Sequence, residues 1–278
     1  MKWKQLLTPV KSMYSEDLEE FISSHKEGTF TILDVRQPWE YREEHIPGSK
    51  LIPLPELIDR LEEIDPEKPT VVYCAVGGRS RVAAQMLAGK GFKEVYNLKG
   101  GINAWMGRTA FGPVEQGMAL LRGDETPKEI IVLAYGMEEG LKGFYKSMAL
   151  KVEKEDVRDM FKKLSKVEET HKIQLFELYR NYDDKIKDRS EFEEGVVKDV
   201  MEGGLTTEEF LEINKPAMKS IEDVLSIAMM IEAEAMDLYM RYREKVEDEE
   251  SKNVLLNLAE AEKVHLNSLG KLMDRIAS

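Results

Sequence analysis

The chain has 278 residues, and Lys+Arg 40 against Asp+Glu 53 gives a formal charge of -13. At roughly 100–200 residues per domain that length predicts two domains, and with no apolar run near the roughly 18 residues of a span, no transmembrane helix is expected. The single cysteine, Cys74, excludes internal disulfides, Cys-rich zinc sites and four-cysteine iron centres, and a pI near 5.0 argues against nucleic acid as a main partner.

Met1-Lys2-Trp3-Lys4 makes a basic start, but acidic residues from Glu16 onward interrupt any signal-like apolar stretch, so a cytoplasmic location is expected. Residues 1–112 hold 15 basic and 16 acidic side chains, and residues 113–278 hold 25 and 37. That asymmetry predicts two modules with different tasks, 1–112 and 113–278.

In the first module, residues 15–24, 55–64 and 80–88 carry amphipathic helical patterns. Residues 29–35, 51–54, 70–74 and 94–98 read as buried strands. Alternation at this spacing predicts an α/β unit with a mostly parallel sheet and flanking helices, whose ligands sit at the carboxyl ends of strands.

Cys74 ends the most apolar of these strands and is followed by Ala75-Val76-Gly77-Gly78-Arg79-Ser80, where a helix begins. Two glycines let the backbone curl so that successive N–H groups of Ala75, Val76, Gly77, Gly78 and Ser80 point inward at one spot. The helix N-terminus adds partial positive charge and Arg79 a full one. A cysteine in such a nest is expected to be a thiolate, and therefore nucleophilic. The alternative is a buried structural cysteine beside an ordinary glycine turn.

Cys74-Ala75-Val76-Gly77-Gly78-Arg79 resembles the Cys-x-x-Gly-x-Arg loop of single-domain rhodaneses. Leu33-Asp34-Val35-Arg36, Glu40-Tyr41, His45-Ile46-Pro47-Gly48 and Leu98-Lys99-Gly100-Gly101-Ile102-Asn103-Ala104-Trp105 sit where that family has such sequences. The resemblance spans about 110 residues and implies a sulfurtransferase. Cys74 would take sulfane sulfur as a persulfide and hand it to a thiol acceptor, with Arg79 assisting. Asp34, Arg36 and His45 would tie loop and sheet together. The arginine comes five places after the cysteine, one fewer than in the related dual-specificity phosphatases, so the loop is sized for sulfur. Ala75 and Val76 stand where many thiosulfate-using members carry a basic residue. That leaves a polysulfide, a small-thiol persulfide or a protein persulfide open as donor beside thiosulfate.

After Phe111-Gly112-Pro113 strand signals vanish. Thr126-Pro127-Lys128-Glu129 is a capping box with proline at the first helical position. Long helices are predicted over residues 126–152, 155–182, 220–246 and 248–276, with a short one after Thr206 in the crossover that contains Gly203-Gly204. Two helical hairpins joined by one long crossover describe a ferritin-like four-helix bundle.

Glu138, Glu168 and His171 recur as Glu232, Glu262 and His265, each displaced by the same 94 positions. This predicts a duplicated hairpin. Glu138 shares a helix face with Ile131, Ala134, Leu141 and Tyr145, and Glu232 one with Leu225, Ala228, Ala235, Met236 and Tyr239. Glu168 and His171 share a face with Phe161, Leu164 and Leu175, and Glu262 and His265 one with Leu255, Leu258 and Leu272. Four buried carboxylates require positive charge, and no Lys or Arg occupies those stripes. Two divalent cations would balance them.

These six positions resemble the rubrerythrin–erythrin branch of ferritin-like proteins. The resemblance implies two iron ions held by Glu138, Glu168, His171, Glu232, Glu262 and His265, with manganese as the alternative by ligand type. It further implies peroxide or O₂ as substrate, an external electron donor and a homo-oligomer. Two differences stand out: Ala235 replaces a further glutamate of rubrerythrins, and there is no four-cysteine rubredoxin segment. A different class of function stays open, in which the bundle stores or senses iron without turnover and Cys74 is a sensing thiol.

Overall fold

The computed structural model describes residues 10–111, 124–152, 155–183, 185–186, 188–194 and 220–277. The expected crossover helix after Thr206 and the module boundary at 112/113 lie outside them. The chain gathers into two compact units. One comprises Met1–Gln116 with Glu232–Arg241 and Ala259–Lys263; the other comprises Gly117–Ile231 with Tyr242–Leu258 and Val264–Ser278.

In the first unit β1 (Lys11–Met13), β2 (Thr31–Asp34), β3 (Lys50–Leu51), β4 (Thr70–Tyr73) and β5 (Val95–Leu98) form one sheet in the order β1-β5-β4-β2-β3, every pair parallel. Helices α1 (Ser15–Ser24), α2 (Pro38–Glu43) and α3 (Gly78–Gly89) supply the connections. The central strand, β4, is buried along its whole length, as a strand covered on both faces must be. One apolar layer gathers Leu33, Val35, Ile52, Val72, Cys74, Ala84 and Leu87. Another gathers Leu18, Phe30, Ile32, Ile46, Val71, Tyr73 and Leu98.

The α/β reading stands, with three differences. The edge strand β1 and the short helix α2 were not anticipated. Residues 55–64, expected to be helical, form consecutive turns ending in a 3₁₀ turn, Leu61–Glu63. Their bonds run i to i+3, as in Glu56 N–H to Pro53 O (2.8 Å) and Asp59 N–H to Glu56 O (3.0 Å).

The long helices are α4 (Pro127–Lys151), α5 (Glu155–Arg180), α7 (Ile221–Arg243) and α8 (Glu249–Ala277), with a short α6 (Arg189–Glu194) after α5. The capping box at Thr126 is formed: Glu129 accepts from the Thr126 N–H (2.8 Å) and the Thr126 hydroxyl accepts from the Glu129 N–H (3.4 Å). Helices α4 and α5 pack together as a hairpin. This is a helical domain of the ferritin-like kind. Among the described residues no helix is long and apolar enough to cross a membrane.

Candidate functional site

Cys74 follows β4 directly, and α3 begins four residues later. The turn between them depends on Gly77, whose φ of +93° is open to glycine at little cost. Behind the loop Gly101, also at positive φ, lets the next segment lie against it. Ile102 N–H donates to Cys74 O (2.8 Å) and Asn103 N–H to Ala75 O (3.1 Å). With its carbonyls fixed from behind, the loop presents donors to the sulfur. Gly77 N–H donates to Cys74 Sγ at 3.1 Å. The Ser80 hydroxyl stands 3.4 Å from Sγ and 2.7 Å from Asn97 Oδ1. Its single proton serves one of these at a time.

Burial alone pushes the Cys74 thiol up. Hydrogen bonds from the Ser80 hydroxyl and from the N–H groups of Ser80, Val76 and Gly77 outweigh it, and the thiol ends below its ordinary value. Ala75 and Gly78 complete the curl, and Val76 stands 67% exposed at its tip.

Arg79, expected to offer a full positive charge to the loop, interacts with Cys74 by charge and hydrogen bond and more strongly with Glu40. Its guanidinium donates to both oxygens of Glu40 on α2, at 2.7 and 2.6 Å. This fork holds the Glu40 carboxylate below the usual range, with the Arg79 hydrogen bonds as the largest cause. The carboxylate offsets the charge that the sequence placed at the thiolate.

Asp34 and Arg36 form a buried pair, Nε to Oδ2 at 2.9 Å and Nη2 to Oδ2 at 2.7 Å, and Arg36 also donates to Glu44 O (2.6 Å). His45 is fully buried. Its Nδ1 lies 2.8 Å from Tyr41 O and its Nε2 3.1 Å from Asp237 Oδ2, a partner within the same unit that the sequence did not signal. Asp237 also accepts from Arg241 Nε (2.6 Å) and Gly48 N–H (2.8 Å).

Glu138 lies on α4, Glu168 and His171 on α5, Glu232 on α7, and Glu262 and His265 on α8; all four carboxylates are buried. Ligand atoms of Glu168, His171 and His265 lie within 4.8 Å of one another. Glu138 joins through His171, whose Nδ1 is 3.6 Å from Glu138 Oε2 and 2.9 Å from Glu168 Oε2. The two imidazoles stack with centroids 3.8 Å apart. Burial works against charge on His171, yet hydrogen bonds to Glu138 and Glu168 prevail and push it up to about 9. A cluster that raises the proton affinity of its own imidazole so far is one that favours a cation. Carboxylate oxygens with imidazole nitrogens suit iron or manganese. The residues fit a metal centre.

One position along from Glu138, Glu168 and His171, a second set of charges escaped the sequence reading. Lys142 pairs with Glu139 (2.9 Å) and Glu169 (2.7 Å), Lys172 with Glu139 and Glu193, and Arg189 with Glu169 (2.7 Å) and Glu193 (3.1 Å). Lys142 and Lys172 are buried. In sequence these are ordinary charged residues of solvated helix faces.

Comparison with known proteins separates the two halves in the same way. A rhodanese-like domain matches residues 17–108, and rubrerythrin matches residues 129–273. The uncharacterized protein YqhL of Bacillus subtilis is 42% identical over 90 residues, 32% of this chain and 70% of that protein. The thiosulfate sulfurtransferase GlpE of Coxiella burnetii is 42% identical over 80 residues, 29% of this chain and 75% of that protein. Among solved structures, a rhodanese-like domain protein from Staphylococcus aureus aligns at 30% identity with a TM-score of 0.33, covering 34% of this chain and 91% of that one. With a nest of hydrogen-bond donors around Cys74 in one half and buried carboxylates beside imidazoles in the other, the chain belongs to the rubrerythrin family and carries a rhodanese-like domain ahead of its rubrerythrin domain.

Proposed function

We propose that the chain joins a sulfurtransferase, residues 1–112, to a di-iron peroxide or oxygen reductase, residues 113–278. The sulfur reading rests on the Cys74 Sγ, which receives the Gly77 N–H at 3.1 Å and has an acidity raised by its loop. The Cys74 thiolate attacks the outer sulfur of a sulfane donor, and the donor's S–S bond breaks as the new one forms. The loop N–H groups hold the anionic persulfide. A thiol acceptor then takes the outer sulfur and regenerates Cys74.

The metal reading rests on the cluster of Glu168, His171 and His265 with Glu138 beside it, and on the rubrerythrin match over residues 129–273. Glu138, Glu168, His171, Glu232, Glu262 and His265 would hold the pair of ions, iron in preference to manganese. Bound there, the ions would supply redox equivalents for peroxide or O₂, drawn from an external donor. The chain's own contribution is to exclude water around four buried carboxylates and to orient the imidazoles.

Sulfur transfer from a sulfane donor to cyanide should proceed with the wild type and vanish in Cys74→Ala. Elemental analysis should find two irons per chain, with peroxide consumed by the same sample. Metal without peroxide turnover favours storage or sensing instead. Folded protein with no bound transition metal, and no change in Glu168→Gln or Glu262→Gln, overturns the metal half of the reading.

A further inference from the structure

Five charged side chains on α7 and α8 take no part in the metal reading: Glu234, Asp237 and Arg241 on α7, Glu260 and Lys263 on α8. Asp237, Arg241 and Lys263 are buried, where a charge is costly unless it is paired. The pairing draws on the first module. Asp237 accepts the Gly48 N–H at 2.8 Å and stands 3.1 Å from the His45 Nε2, and Arg241 Nε reaches the same carboxylate at 2.6 Å from one turn along α7. Glu234 accepts the Phe111 N–H at 2.6 Å. Lys263 donates to the His25 carbonyl (2.5 Å) and to Glu27 (3.1 Å), while Glu260 accepts the Glu27 N–H (3.0 Å).

The stretches that carry these groups, Glu232–Arg241 and Ala259–Lys263, belong to the same compact unit as the parallel sheet. Each also contains one metal-type carboxylate, Glu232 or Glu262. Helix geometry relates the two sets. Successive side chains are about 100° apart, so Glu234, Asp237 and Arg241 point about 200°, 140° and 180° round the axis from Glu232. By the same count Glu260 and Lys263 stand about 160° and 100° from Glu262. The bonds to the first module are thus made on the side of each helix away from its carboxylate. Such bonds fix the rotation of the helix about its own axis, and with it the place of the side chain opposite. With side chains a helix has a radius of about 5–6 Å, so a turn of about 20° carries a side-chain tip about 2 Å. That is about ten times the tolerance of a metal–ligand distance, roughly 0.2 Å.

We propose that Asp237 and Lys263 are positioning residues for Glu232 and Glu262: by tying α7 and α8 to the first module from the side away from each carboxylate, they hold both carboxylates where a metal ion needs them. Asp237 and Lys263 act through their helices and are not ligands. Their role presupposes the metal reading given above and makes the first module a determinant of metal affinity.

The test titrates manganous ion into the chelator-stripped full chain, well below its melting temperature, and reads the free ion by electron paramagnetic resonance. Asp237→Ala and Lys263→Met should each weaken binding about tenfold, as loss of a group that orients a ligand does. Asp237→Asn keeps an oxygen for the Gly48 N–H and should bind close to wild type. Thr126→Ala, which loses the cap of α4, should melt lower yet bind the ion unchanged, because instability alone does not alter the affinity of the folded chain. If Asp237→Ala and Lys263→Met melt lower but bind as tightly as wild type, the contacts only pack the helices and the proposal is overturned. Should Asp237→Ala fail to fold, Lys263→Met decides alone. A wild-type chain that binds neither manganous nor ferrous ion is a different result, which overturns the metal reading itself.

Discussion

A buried thiol is poorly placed to ionise, so the lowered pKa of Cys74 measures what its loop donates. Thiolate is present above the pKa and lost as pH falls through it. A depressed value therefore moves that loss to lower pH than for a free cysteine. The iodoacetamide reaction at Cys74 should accordingly keep its plateau rate to more acidic pH than a peptide thiol does. Ser80→Ala removes one of the donors and should move the profile back towards alkaline pH, with a several-fold slower reaction near neutrality. An unshifted profile in that variant would assign the acidity to the backbone alone. Elsewhere the charges do structural work. Asp34→Asn leaves the Arg36 guanidinium buried with half its partners gone, a change that costs about 3–5 kcal/mol in buried pairs. All three tryptophans, Trp3, Trp39 and Trp105, fall in the first 112 residues. Urea unfolding followed by tryptophan fluorescence should thus report a lower midpoint for this variant. The motif at Asp34 and Arg36 was legible as structural from sequence. The partner of Arg79 was not, because Glu40 lies 39 positions away on a helix too short to show a period.

At the scale of elements, legibility followed length. Helix α1 and the four long helices carry enough turns for an apolar stripe to show, and their ends fall within a few residues of expectation. Helix α2 has six residues, and β1 three on an edge with two exposed side chains, so neither has a pattern to read. Residues 55–64 misled for a different reason: Leu57, Leu61 and Ile64 recur at helical spacing, but a chain of i to i+3 turns buries Leu57 and Ile64 and half-buries Leu61. The loop that carries Cys74 owes its shape to a second element, the Gly100–Gly101 turn. An added methyl on Gly101 would overlap the carbonyl oxygens of Cys74 and Ala75, at a φ of +61° that a side chain resists. Gly101→Ala should therefore abolish sulfur loading of Cys74, read by intact mass, while helical content by far-UV circular dichroism stays near wild type. Retained loading would show that the backing segment is dispensable. At the start of α4 the Thr126 cap makes a smaller contribution, about 1 kcal/mol by comparison with other such caps. Thr126→Ala should lower the midpoint of the far-UV helical transition in urea accordingly.

For the whole molecule, the 94-residue displacement of Glu138, Glu168 and His171 onto Glu232, Glu262 and His265 is the sequence signal behind the proposed metal centre, and the structure brings Glu138, Glu168, His171 and His265 together. A repeat is visible in one dimension because it needs no knowledge of folding. The surrounding electrostatics were not visible, since the local pairs among Glu139, Lys142, Glu169, Lys172, Arg189 and Glu193 look like ordinary surface pairs until others form across helices. Asp237 likewise meets His45, and Lys263 meets Glu27, only once folded. These pairs compensate their own charges internally. The carboxylates of Glu138, Glu168, Glu232 and Glu262 are buried as well, and burying several such charges is costly without a compensating cation. A ligand that binds only the folded state stabilises it by mass action, about 2.7 kcal/mol at a hundredfold excess over its Kd. Stripping metal with a chelator should then lower the melting temperature of the helical signal in far-UV circular dichroism. Adding back ferrous or manganous ion should restore it, the tighter of the two giving the larger gain at equal concentration. Glu168→Gln and Glu262→Gln each remove one negative charge from the cluster, so each should melt higher than wild type when both are metal-free and should gain less on adding metal. That crossing of effects is what separates a metal centre from a merely buried polar network, in which the same substitutions would destabilise the protein with and without metal alike.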